Sequence, residues 1–171
     1  LRRWLLAHAL LAPNPHNMQP WLADLRTPGE ITLRLAPQRL LPATENYVVF
    51  SFGANDVSLV DGRQRVSEND TIANLHAMLD NARTRYRTLM IGPPPAADDD
   101  HNVRLARLSE RMHDVAVRLG VPYVATLPAL IDDRIWLDEV RDNDGAHPRA
   151  AGYARLARIV AASGVWWFGK S

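Results

Sequence analysis

Tyr47–Val48–Val49–Phe50–Ser51–Phe52–Gly53–Ala54–Asn55–Asp56 is the stretch on which the fold turns. A nearly continuous apolar run leads straight into a Gly–Ala–Asn–Asp turn. Such a run fits a strand buried on both faces of a parallel sheet, because crossover helices cover that kind of strand above and below. Downstream, Ile72, Leu75, Leu79 and Ala82 recur at steps of three and four, predicting an amphipathic helix over 68–84. Thr88–Leu89–Met90–Ile91 reads as a second short strand, stopped by Gly92 and three prolines. Leu105, Leu108, Met112, Val115 and Leu119 form the clearest helical stripe, which Gly120 ends. Val121–Ala125 is a third strand. Tyr153, Leu156, Ala157 and Val160 mark a last helix, opened by Pro148 at a first-turn position. Alternation of this kind predicts an α/β fold, a three-layer α/β/α sandwich of flavodoxin-like type.

Working back from Tyr47, the rhythm differs. Leu1 to Leu11 has helical spacing and ends at Pro13 and Pro15, while Ile31, Leu33 and Leu35 alternate with Thr32 and Arg34 as in a half-exposed strand. The expected division is a helix–loop–strand leader over 1–45 and an α/β domain over 46–171. Residue 1 is Leu, and the start reads as the cut edge of something longer.

Composition removes several classes of function. The 171 residues carry 20 Lys plus Arg against 19 Asp plus Glu, a net charge of +1, which gives no cationic surface for nucleic acid. Cysteine is absent, so neither disulfides nor thiolate-held metals are available. No apolar run approaches the roughly 18 residues of a membrane span. The expectation is a soluble chain, with the cytoplasm preferred where composition leaves the compartment open. Asp98–Asp99–Asp100–His101 is read as an acidic helix start and not as a metal site, because adjacent residues cannot all face one ion. His76 and His113 are placed at solvent edges of helices, and Trp136, Trp166 and Trp167 as packing anchors.

Two groups carry chemistry. Ligands of open α/β sheets bind at the carboxyl ends of the strands, which points to the turn Gly53–Asp56. Gly53 permits the tight bend, and the Asn55 amide is a donor suited to a developing oxyanion. Gly, Asn and Asp are also ordinary turn residues. In Asp144–Gly145–Ala146–His147–Pro148, a carboxylate three residues before a histidine can accept from imidazole Nδ1 and leave Nε2 free as a base. A helix cap and a turn have the same composition.

Taken together, Gly53-x-Asn55-Asp56 and Asp144-x-x-His147-Pro148, with Gly92–Pro95 between them, resemble the SGNH (GDSL-type) esterases and lipases over residues 46–163. The resemblance implies carboxylic ester hydrolysis through a serine acyl-enzyme, on small-molecule or lipid esters. In it Asn55 is an oxyanion donor, His147 the general base and Asp144 its orienting acid. The family's Gly-Asp-Ser nucleophile block is absent from these residues. The six serines are Ser51, Ser58, Ser67, Ser109, Ser163 and Ser171; Ser51 is expected inside a buried strand, Ser58 beyond the turn, and the others on helices or at the tail. The expected sheet therefore lacks its first strand and the chain alone is expected inactive, with a noncatalytic ester-binding module as one alternative. Removing the first strand exposes an edge on strand 47–52. The strand at Ile31–Leu35 is expected to cover it, or copies of the chain to associate there.

Ala12–Pro13–Asn14–Pro15–His16–Asn17–Met18–Gln19–Pro20–Trp21 is similar to the Ala-Pro-Ser-x-x-Asn-x-Gln-Pro-Trp segment of the nitroreductase family, with Asn14 where Ser is usual. That resemblance implies a second alternative, an FMN-dependent fragment with Asn17 and Gln19 near the flavin. For function the segment is read as a Pro-rich loop tethering a short helix, with no cofactor.

Overall fold

The computed structural model describes residues 21–24, 32–35 and 47–167. The chain divides into two compact units, Leu1–Thr44 and Glu45–Ser171. In the first, β1 (Trp21–Asp24) pairs antiparallel with β2 (Thr32–Leu35), Trp21 opposite Leu35 and Asp24 opposite Thr32. The expected leader helix, together with Asn17 and Gln19, lies outside the described residues. The strand expected at 31–35 forms at Thr32–Leu35, but its partner is β1, in a two-stranded sheet of its own.

The second unit runs β3 (Tyr47–Ser51), β4 (Leu59–Val60), β5 (Arg63–Gln64), α1 (Glu68–Arg83), β6 (Arg87–Ile91), α2 (Asp99–Arg118), β7 (Tyr123–Val124), α3 (Leu127–Leu130), α4 (Arg134–Arg141) and α5 (Ala150–Ala162). Strands β3, β6 and β7 make a parallel sheet in that order, with Tyr47 beside Arg87 and Met90 beside Tyr123. Alternation along β6 assigns the layers. Met90 packs with Leu75 and Leu79 of α1 and with Leu105, Leu108 and Met112 of α2. Leu89 and Ile91 pack with Val160, Leu156 and Ile159 of α5. Helices therefore cover both faces, as the alternation of elements predicts, and the fold is α/β.

The local reasons are legible. Ser67 caps α1 by accepting from the Asp70 N–H, and Asp98 caps α2 by accepting from the His101 N–H. At the far end of α2, Gly120 takes φ +66°, its N–H donates to Val117 O, and the Val121 N–H donates to Ala116 O. This 6→1 and 5→2 pair ends the helix and turns Val121 into the core. Glu68 joins the two helices by accepting from Arg107 and Arg111. The Arg111 hydrogen bond, above all, holds its carboxyl below the usual carboxylate range.

Two expectations about strands are corrected. β3 is not buried on both faces: Phe50 and Phe52 join the core beside α1 and α2, while Val49 is 40% exposed and Ser51 is exposed. β3 lies at the edge of the three-stranded sheet, and α5 packs against β6 and β7 on the opposite face, so among the described residues no helix packs over Val49 and Ser51. The third strand spans Tyr123–Val124 and not 121–125, because Val121 is drawn into the end of α2.

Candidate active site

The turn after β3 is pinned on both sides. Gly53 is buried at φ +111°, and a Cβ there would stand 3.2 Å from Met112 Sδ, so both conformation and space call for glycine. The Asp56 N–H donates to Gly53 O at 3.1 Å and the Ser58 N–H to Asn55 O at 3.2 Å. Asp56 Oδ2 accepts from Thr71 Oγ1 at 2.9 Å, and Arg104 Nε donates to Val57 O at 3.1 Å. Val57 is fully buried. The chain enters and leaves the core within a few residues, and Asn55 stands at the exposed crest.

The second constellation forms as a single hydrogen-bonded loop. Asp144 Oδ2 bonds His147 Nδ1 at 2.8 Å, while Oδ1 accepts from the N–H groups of Ala146 at 2.9 Å and His147 at 2.7 Å. The Ala146 N–H, then the His147 ring and the His147 N–H, hold the Asp144 carboxyl far below its ordinary range. An ionised Asp144 fixes the tautomer with hydrogen on Nδ1 and leaves Nε2 as the acceptor. Among the described residues, Asp144 is the ring's only hydrogen-bond partner. The side chains of His147 and Asp144 are 60% and 53% exposed, so this pair rests on directed hydrogen bonds; its Coulomb attraction is damped by water.

Pro148 does not open the last helix, as the sequence suggests; α5 starts at Ala150, with Arg149 at its cap. The reason is Glu139 of α4. Its carboxylate accepts from the N–H groups of Arg149 at 2.9 Å, Ala151 at 3.3 Å and Gly152 at 2.6 Å, doing from another helix what a capping side chain does locally. Asn143 Nδ2 donates to His147 O and Arg149 to Asp142 O, which closes the loop around the imidazole.

A third wall follows β6. Gly92 lies against Tyr123, leaving no room for a Cβ, and Thr126 Oγ1 donates to Gly92 O. Asn102 clamps Ala96 by accepting from its N–H at 2.8 Å and donating to its carbonyl at 2.9 Å. Trp136 Nε1 donates to Pro95 O at 2.8 Å, and the Ala97 N–H donates to Gly145 O at 2.9 Å. That last bond ties the wall to the Asp144 loop.

These pieces enclose one open cleft of about 650 Å³, which Gly53, Asn55, Asp144 and His147 all line. It lies beyond the carboxyl ends of β3 and β6, where the sheet rule places ligands. Ser51 and Ser58 line it too, which corrects the placement of Ser51 inside a buried strand. The sequence reading also missed Asn102 and Glu139, and it placed Trp136 as a packing anchor without its hydrogen bond to Pro95 O. Asn102 was detectable as a polar residue three positions before Leu105 on an otherwise apolar stripe; Glu139 had no local signal, because its partners are ten or more residues away. Among the described residues no cluster of three or more His, Asp or Glu side chains could hold a metal. Nor is any helix of these residues long and apolar enough to cross a membrane.

Comparison with known proteins bears on the fold and the family. Two solved structures resemble the chain: a lipase/acylhydrolase from Enterococcus faecalis (25% identity, TM-score 0.57) and a GDSL-like lipase from Bacteroides thetaiotaomicron (20% identity, TM-score 0.55). Each alignment covers 70% of this chain and 61% of the other, so the chain spans about three-fifths of the length of these neighbours. A search of curated proteins returned no match. The family described as GDSL-like Lipase/Acylhydrolase matches residues 6–155, a span that starts well before the resemblance read from the motifs at 46. With most of its length matched, the chain belongs to the GDSL-like lipase/acylhydrolase family.

Proposed function

We propose that this chain carries the base, the orienting acid and an oxyanion donor of a serine-type carboxylic ester hydrolase acting on small-molecule or lipid esters, and that its 171 residues lack the nucleophilic serine. In the full reaction a serine hydroxyl oxygen attacks the ester carbonyl carbon while His147 Nε2 takes its proton. The Asn55 amide donates to the oxyanion, and His147 returns the proton to the departing alcohol oxygen, leaving an acyl-serine for water to cleave. The observation that carries this reading is the 2.8 Å bond from Asp144 to His147 Nδ1 on the same cleft as Asn55. The contribution of Gly53 is to bend the chain so that Asn55 faces the cleft.

Hydrolysis of a short-chain nitrophenyl ester by the purified chain tests the reading. With the nucleophile missing, only residual rate remains from binding and the oxyanion donor, so we expect no turnover that depends on His147. Turnover abolished in His147→Ala would overturn the inactivity and direct attention to Ser51 and Ser58. The preparation is expected to be colourless; a yellow one would favour the flavin alternative at Asn17 and Gln19. The edge of β3 is the place where we expect copies of the chain to associate. Sedimentation across a concentration series checks this, and a monomer throughout would rule it out.

A further inference from the structure

Helix α2 begins at the cleft. Its cap, Asp98, accepts from the His101 N–H, which fixes the first turn, and His101 lines the same cleft as Asn55 and His147. The ring is half-buried, and among the described residues it makes no hydrogen bond; the bond to Asp98 runs from the backbone N–H. Pro93, Pro94, Ala96 and Ala97, none with a polar side chain, line the same cleft. Asn102 grips both polar groups of Ala96 and Trp136 holds Pro95, which anchors that wall.

Burial, aided by the charge of Arg104, holds the imidazole below its ordinary pKa. A neutral ring is at once a donor and an acceptor. Three carboxylates, Asp56, Asp98 and Asp144, line the cleft, and no lysine or arginine does among the described residues. This field disfavours an anionic substrate. An unpartnered donor–acceptor in a rigid apolar wall selects a ligand that brings a neutral hydrogen-bonding group of its own.

Resting on the ester-site reading above, we propose that His101 is a specificity-determining residue: its ring hydrogen-bonds a hydroxyl of the substrate, so the cleft takes neutral, hydroxylated esters in preference to plain alkyl or anionic ones. The test uses the full chain and two matched pairs, methyl butyrate with methyl 3-hydroxybutyrate and ethyl acetate with 2-hydroxyethyl acetate. Binding is read by NMR from the ring signals of His101 and His147. At least one hydroxylated member is expected to bind about fivefold more tightly than its plain partner, the worth of one net hydrogen bond. His101→Phe should erase that preference while leaving the plain ester's affinity within about twofold, and His101→Asn should restore part of it. A preference that survives in His101→Phe, or is missing from the unsubstituted chain while the His147 signals still respond, overturns this proposal alone. If no ester moves the His147 signals, the ester-site reading falls and this proposal with it. Circular dichroism of each variant separates lost binding from lost folding.

Discussion

Truncating Trp136 to alanine is expected to destabilise the chain by about 3–5 kcal/mol, the range for removing a fully buried large aromatic. Trp136 is 1% exposed, packs with Leu130 and Val140, and meets the Tyr153 ring edge-on at 6.4 Å between centroids. Alanine removes that packing and also leaves the carbonyl of buried Pro95 without the indole N–H. The two losses separate in Trp136→Phe, which keeps most of the packing and forfeits the hydrogen bond, at an expected cost of about 1–2 kcal/mol. Since domains of this size hold only about 5–15 kcal/mol in total, the alanine variant should be close to unfolding at 37 °C. Urea unfolding followed by far-ultraviolet circular dichroism measures both. A cost below about 1.5 kcal/mol for alanine would mean that the core formed by α3, α4 and α5 closes over the gap. The wall carrying Pro94 and Ala96 would then not depend on this residue for its position.

That dependence runs between residues 41 apart, and it marks where sequence reading stops. Helices α1 and α2 were legible because their apolar residues keep a 3.6-residue period and their ends carry Ser67, Asp98 and Gly120, all local signals. Both chemical turns were legible for the same reason. Gly53 and Asn55 sit two residues apart and Asp144 and His147 three, so each pair shares one short loop. What could not be read is whatever depends on neighbours in space. The apolar run 47–52 fits a central strand and an edge strand equally well, since what packs over Val49 is set by neighbours in space and not by the run itself. The short hairpin of β4 and β5, turning at Asp61 (φ +52°) and Gly62 (φ +74°), was hidden because two-residue strands have no period to detect. Glu139 belongs to the same class, as a capping residue whose helix is not its own.

Gly152→Ala is where that remote cap can be weighed against helix propensity, because the two act with opposite sign. In a helix interior, alanine is favoured over glycine by roughly 0.5–1 kcal/mol. Here a Cβ would collide with Pro148 Cβ and stand 3.0 Å from Glu139 Oε2. Carbon atoms rest near 3.5–4.0 Å, so something must move by about 1 Å. Pro148 is a rigid ring, and Glu139 is engaged by the N–H groups of Arg149, Ala151 and Gly152. The overpacking cost should win, for a net loss of about 1–3 kcal/mol in urea unfolding. The displacement falls on the residue next to His147, so it should also reach the loop. As the bonds from Ala146 and His147 to Asp144 loosen, the Asp144 carboxyl should rise toward its ordinary 3.8. An NMR titration of that carboxyl in Gly152→Ala therefore reports on the loop independently of stability. If the variant instead gains the propensity increment and Asp144 titrates unchanged, Pro148 and Glu139 yield easily. The orientation of His147 then owes nothing to the start of α5 and rests on its own three-residue turn.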